Sequence, residues 1–195
     1  HTQRRRQRQM CIRDRLGTVG QALPEVETRI VDPSGTVLPA GLDGEVQLRG
    51  PNVMRGYHGM PEATAKVLDA DGWFRTGDMG QLDTDGYLSI TGRIKEMLIV
   101  GGENVFPREI ESVLEAHPDV EACGVIGRSD DKRGEVPVAF VELRDDSSLQ
   151  PAELRTWAGE RLAPYQCPRE VLVVESLPRN PTGKVQRRAL HALLP

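Results

Sequence analysis

The sequence is poor in aromatic residues: phenylalanine, tryptophan and tyrosine together make up 4% of its 195 residues. That is too sparse for the interleaved stacking platforms that hold single-stranded nucleic acid. Cysteine is equally scarce. Cys11, Cys123 and Cys167 stand far apart with no CxxC pair, which argues against a zinc ribbon or a disulfide framework and points to a reducing cytoplasm. No apolar run approaches the roughly 20 residues of a membrane-spanning helix, so a soluble protein is expected. The triphosphate cradle GxxxxGK[ST] is missing. His58, His117 and His191 lack ligand spacing, and no Ser-His-Asp arrangement can be assembled.

Positive charge is present but unevenly placed. Residues 1–15, HTQRRRQRQMCIRDR, hold six arginines and one aspartate and so carry +5 of a chain total of −4, leaving −9 for the rest. The lead has no apolar core and no periodicity, and its composition breaks at Leu16. Residues 1–16 are therefore expected to be non-native sequence and are set aside. The acidic remainder gives nucleic acid no surface to bind.

From Gly17 onward short strands and tight turns alternate. VETRIVD and GEVQLRG read as strands, PSG as a turn, and DTDGYLSITGR as a turn followed by a strand. A short helix is expected within MPEATAKVLDADGWF, with Pro61 in its first turn and Gly72 after it. Beyond Arg93 the texture changes. EMLIV reads as an apolar strand, GGENVF as a turn, and PREIESVLEAHP as a helix with Ile110, Val113 and Leu114 on one face. EACGVIG, VPVAFVELR and EVLVVESL read as strands, PAELRTWAGERLA as a helix, and VQRRALHALL as a closing helix.

A few polar residues stand out against this background. Asp78, after Thr76 and Gly77 at an expected strand end, is an acceptor-only carboxylate able to take two hydroxyl donors, as in a ribose diol; a self-satisfied turn accounts for the same residues. Arg93 ends ITGR and is placed to reach a phosphate or a sugar oxygen, or simply solvent. The pair Gly101–Gly102 permits left-handed dihedrals, for passage of a narrow ligand chain or only for a turn. Lys184 in LPRNPTGK follows the rigid Pro181 and the permissive Gly183 and is expected to open a helix whose dipole favours anions. Such a cation suits a phosphate, although beside Arg187 and Arg188 it also reads as surface charge. Cys123, in an expected buried strand, and Cys167, beside Pro168, read as structural.

Taken in order, GEVQLRGPNVMRGY, DGWFRTGD, GYLSITGRIKEMLIVGGENVFPREIE and LPRNPTGK resemble the AMP-forming acyl-CoA synthetases of the adenylate-forming superfamily. The resemblance runs from about Gly17 to the last helix. It implies an enzyme that uses ATP and Mg2+ to turn a carboxylic acid into an acyl adenylate, releases pyrophosphate, and transfers the acyl group to coenzyme A. By the same resemblance Asp78 holds the ribose hydroxyls of AMP, Arg93 contacts ribose and phosphate, and Lys95 is the hinge between the two half-reactions. Gly102 lines the pantetheine tunnel, and Lys184 is the catalytic lysine of adenylation. Two alternatives stay open: an adenylation enzyme that loads a carrier protein, and a non-catalytic lid module.

The resemblance also implies an α+β fold. Residues 17–94 form the end of the large domain, a distorted antiparallel barrel-like subdomain, and residues 95–195 form a small α/β lid. The family's phosphate-binding Ser/Thr/Gly loop, its Tyr-Gly-x-Thr-Glu stretch and its acyl pocket lie upstream of a point like Gly17. The chain is thus expected to be a carboxy-terminal piece, inactive without the amino-terminal domain of the same enzyme, with the Mg2+ ligands elsewhere.

Overall fold

The computed structural model describes Arg15 and residues 17–194; Cys11 and the rest of the arginine-rich lead lie outside the described residues. Two compact units are present, with the boundary between Lys95 and Glu96. The architecture is α+β, as expected.

The first unit is built on one five-stranded antiparallel sheet. Its strands are β1 (Gly20–Gln21), β2 (Glu27–Val31), β3 (Gly44–Arg49), β4 (Phe74–Leu82) and β5 (Tyr87–Arg93), in the order β1-β5-β4-β3-β2. The sheet stays open rather than barrel-like, because its edge strands β1 and β2 do not pair with each other. Asp-x-x-Gly sequences make the sharp corners. In Asp32-Pro-Ser-Gly the Asp32 carboxylate accepts the amides of Ser34 and Thr36 at 2.8 and 2.9 Å. In Asp83-Thr-Asp-Gly, Asp83 accepts those of Asp85 and Tyr87, both at 2.9 Å. These bonds to the ionised form hold both carboxyls below their ordinary range, through the Ser34 hydroxyl first for Asp32 and the Tyr87 amide first for Asp83. Arg15 pairs with Asp83 and Asp85 and stacks on Tyr87 at 4.4 Å from the ring centre. The expected short helix is α1 (Pro61–Ala65), begun by proline.

The second unit carries β6 (Leu98–Val100), β7 (Glu103–Val105), β8 (Val120–Asp130), β9 (Gly134–Leu143) and β10 (Glu170–Val174). β8 and β9 form a long antiparallel hairpin, while β10 runs parallel along the other edge of β9. Successive side chains of a strand point to opposite faces, and the sheet has two separate cores for that reason. On one face Val120, Cys123, Val125, Ala139 and Val141 meet Ile110 and Leu114 of α2 (Pro107–Glu115) and Leu154 and Ala158 of α3 (Pro151–Gly159). On the other face Ala122, Ile126, Val138 and Phe140 are covered by Leu177 and Leu190. Cys123 is buried and burial pushes its thiol pKa well up, so it is an inert core residue, as expected.

Two expectations about local structure are corrected. GGENVF is more than a turn, since β7 follows its glycines. The closing segment is not one long helix: α4 (Arg187–Leu190) is a single turn, followed by a 3-10 turn over His191–Leu193. The apolar spacing in VQRRALHALL reflects the anchoring of Leu190, which is fully buried on the second core, with Val185 and Leu194 packed beside it.

That anchor depends on a missing side chain. A Cβ built on Gly124 of β8 would lie 2.7 Å from Leu190 Cδ1 and 3.2 Å from Val185 Cγ1. Gly124→Val is therefore expected to destabilise the protein by about 1–3 kcal/mol through overpacking. Urea unfolding of the two proteins would read this as a lower midpoint at unchanged slope. An unshifted midpoint would mean that the closing segment is not seated on β8 in this way.

Candidate active site

Asp78 and Arg93 are brought together. They are direct cross-strand partners on β4 and β5, and Arg93 Nε lies 2.8 Å from Asp78 Oδ1. Asp78 is not at a strand end, as the sequence suggested, but in the middle of β4 at a bulge. Glu45 and Gln47 of β3 oppose Met79 and Arg75, so one intervening residue of β3 faces three of β4, namely Thr76, Gly77 and Asp78. Gly77 takes φ +70°, a left-handed value that glycine adopts without strain. The Thr76 hydroxyl donates to the Val46 carbonyl at 2.7 Å and accepts the Asp78 amide at 3.0 Å. A bulge of this kind re-aims the side chain it carries. Gly80 closes the arrangement, since a Cβ there would sit 2.4 Å from the Ser89 carbonyl oxygen. The result is a partly exposed carboxylate braced by a guanidinium, able to accept hydroxyl protons while the cation faces an anion.

Lys95 is exposed in the short 3-10 turn Ile94–Glu96 and is the last residue of the first unit. Gly101 and Gly102 form the two-residue loop between β6 and β7, with φ +62° and +91°. Two successive positive φ values mark a type I′ turn, which matches the twist of its flanking strands. The space beside Gly102 is open, with no atom within 4 Å of an added Cβ.

Lys184 stands in a hairpin and not at a helix start, which corrects the expected dipole contribution. Arg179 bridges to Val185, and the Gly183 amide donates to the Asn180 carbonyl at 2.9 Å around a turn led by Pro181. The Asn180 side chain accepts the amides of Thr182 and Lys184 at 3.0 and 2.9 Å and the Thr182 hydroxyl at 2.7 Å. The Lys184 carbonyl accepts the Asn180 amide at 2.9 Å. Those bonds commit the Lys184 backbone to the turn, and α4 begins only at Arg187. The side chain is exposed, with no carboxylate in ion-pair range among the described residues.

Arg187, to which the sequence reading gave no role, is half-buried and tied to two carboxylates. Its Nε and one terminal nitrogen donate to the two oxygens of Glu111 at 2.9 and 2.6 Å, and the other terminal nitrogen pairs with Glu96. Glu111 is 3% exposed and also accepts the Val125 amide at 3.0 Å. A glutamate on the otherwise apolar buried face of α2 was the signal that could have found this network.

The concavity lined by Tyr57, Met60, Thr64 and Leu68 contains none of the five predicted residues. Among the described residues no group of three or more His, Cys, Asp or Glu side chains could hold a metal ion. No helix among them is long and apolar enough to cross a membrane.

The chain belongs to the AMP-binding enzymes. Residues 7–58 match the family model described as AMP-binding enzyme, and residues 109–184 match the AMP-binding enzyme C-terminal domain. Feruloyl-CoA synthase of an Amycolatopsis species is 44% identical over 174 residues, which is 89% of this chain and 35% of that protein. The fatty acid–[acyl-carrier-protein] ligase ScoC of Streptomyces coeruleorubidus is 43% identical over 176 residues, 90% of this chain and 34% of that protein. Among solved structures, the o-succinylbenzoate CoA synthetase MenE of Bacillus subtilis, in complex with its acyl-adenylate intermediate OSB-AMP, superposes with a TM-score of 0.84 at 38% identity; 93% of this chain and 37% of that one are covered. The chain thus spans about a third of the length of the relatives it matches.

Proposed function

We propose that the chain is the carboxy-terminal part of an ATP-dependent acyl-CoA ligase. A fatty or related carboxylic acid is joined to AMP with release of pyrophosphate, and the acyl group then passes to the thiol of coenzyme A. The observation that carries this reading is the presentation of Lys184, an exposed ammonium with no ion-pair partner among the described residues, on a loop braced by its own backbone and by Asn180. A cation held this way can meet charge that builds at a phosphate in one step and withdraw in the next. Asp78 and Arg93 are assigned to the ribose hydroxyls and the phosphate of the nucleotide, Lys95 to the hinge, and Gly102 to the pantetheine passage. The open space at Gly102 supports the last assignment. Residues 17–94 are assigned to the end of the large domain and 95–195 to the lid. ATP, coenzyme A and the acid would be placed by this chain together with the amino-terminal remainder of the enzyme. The described residues offer no ligand set for Mg2+, and no step is routed through it. A cytoplasmic setting is proposed from the free thiols of Cys123 and Cys167.

A second acceptor is favoured by the carrier-protein ligase among the relatives. The full-length enzyme, given ATP and a fatty acid series, is expected to form thioester with coenzyme A and not with a phosphopantetheinylated carrier protein. Thioester on the carrier alone would replace the first reading with the second. A chain that binds no nucleotide with its amino-terminal remainder present would be a non-catalytic lid.

A further inference from the structure

Arg187 occupies a position that the proposed catalytic residues do not explain. Its partner Glu96 is the first residue of the second unit, directly after Lys95. Its other partner, Glu111, sits on the buried side of α2 and holds the Val125 amide of β8. Arg187 itself lies three residues after Lys184, and the residue between them that leaves the hairpin, Gln186, donates its amide to the Pro178 carbonyl at 2.8 Å. One guanidinium therefore ties the entry turn of the unit, its first helix and the Lys184 loop together, and reaches the long hairpin through Glu111. Along the chain Glu96 and Lys184 are 88 positions apart; through Arg187 the path is one side chain and three positions of backbone.

We propose that Arg187 is a positioning residue: through Glu96 it locks the Lys184 hairpin to the segment that leaves Lys95, so that a rotation about Lys95 carries Lys184 without loss of register. The inference rests on the reading of Lys95 and Lys184 given above. A guanidinium suits the task because its planar fork serves Glu111 with two nitrogens and leaves a third for Glu96, which an ammonium cannot do at fixed geometry. A lock of this kind transmits motion only while both carboxylates are held; Glu111 alone would anchor Arg187 but leave the entry segment free.

Glu96→Gln separates the two arms. It removes the charge facing Arg187 on the hinge side and leaves the Arg187–Glu111 pair, so the fold is retained. In the 195-residue chain, hydrogen exchange at the amides of Gly183, Lys184 and Gln186 is expected to quicken by about tenfold, with the Val138–Val141 amides of β9 unchanged. In the full-length enzyme the same variant is expected to form acyl adenylate about tenfold more slowly, while transfer from supplied acyl adenylate to coenzyme A is unaffected. Unchanged exchange in the Lys184 hairpin would overturn the proposal, and so would equal loss in both half-reactions. If the wild-type enzyme formed no adenylate at all, the functional reading would fall and the exchange measurement alone would judge the lock.

Discussion

Replacing Lys184 with alanine in the full-length enzyme is expected to slow acyl-adenylate formation by about 10²–10³-fold, the range seen when one preorganised donor to a developing oxyanion is removed. The protein should fold as before. Lys184 is exposed, its side chain pairs with no carboxylate among the described residues, and the hydrogen bonds that shape its loop come from its backbone and from Asn180. An exposed truncation of this type leaves stability within about 0.5 kcal/mol. Transfer from supplied acyl adenylate to coenzyme A should also survive, because in that step the thiol attacks the acyl carbon, the carbon–oxygen bond breaks and AMP leaves, with no bond to phosphorus made or broken. Rapid-quench measurement of pyrophosphate release, set beside thioester formation from the preformed adenylate, checks both halves. Adenylate formation at the wild-type rate would remove Lys184 from the mechanism, and with it the assignment of the whole segment.

What the sequence made legible was the set of elements whose residues declare themselves locally. Apolar runs became β8, β9 and β10, the Ile110–Leu114 spacing became the buried stripe of α2, and Asp-x-x-Gly became corners through side-chain acceptance of backbone amides. What it concealed depended on pairing between distant strands. Asp78 looked like the end of a strand because Thr-Gly-Asp is a turn-like triplet; only the register of β3 against β4 shows that the strand continues past a bulge. Nothing local says that Arg93, fifteen residues on, returns opposite Asp78. The Lys184 error had a similar source. Helix propensity in VQRRAL is real, but Asn180 reaches over four residues and takes the Lys184 amide into a hairpin first. Arg187 was hidden most deeply, since an arginine between glutamine and arginine has no sequence mark of burial and its two acceptors lie 91 and 76 positions away.

That burial sets the largest stability effect expected in the chain. Arg187→Met should destabilise the second unit by about 3 kcal/mol, because it leaves the Glu111 carboxylate inside the protein without its countercharge. Glu111 has a side-chain exposure of 4%, and the next cation, Arg108, is 3.9 Å away and itself half in solvent, too distant for a hydrogen bond. The double variant Arg187→Met with Glu111→Gln separates charge from packing. Glutamine removes the charge yet keeps an oxygen for the Val125 amide, which Glu111 now satisfies at 3.0 Å; leucine at 111 would orphan that amide and confuse the comparison. The double variant is therefore expected to be more stable than Arg187→Met alone, recovering about half of the loss or more, with the remainder due to the freed Glu96 and the lost stem packing. Thermal unfolding of wild type and the single and double variants, fitted to a common heat capacity, supplies the numbers. A double variant as unstable as the single one would mean that Arg187 holds the unit together by contact area and hydrogen bonds, and that the carboxylate at 111 is not stranded by its removal.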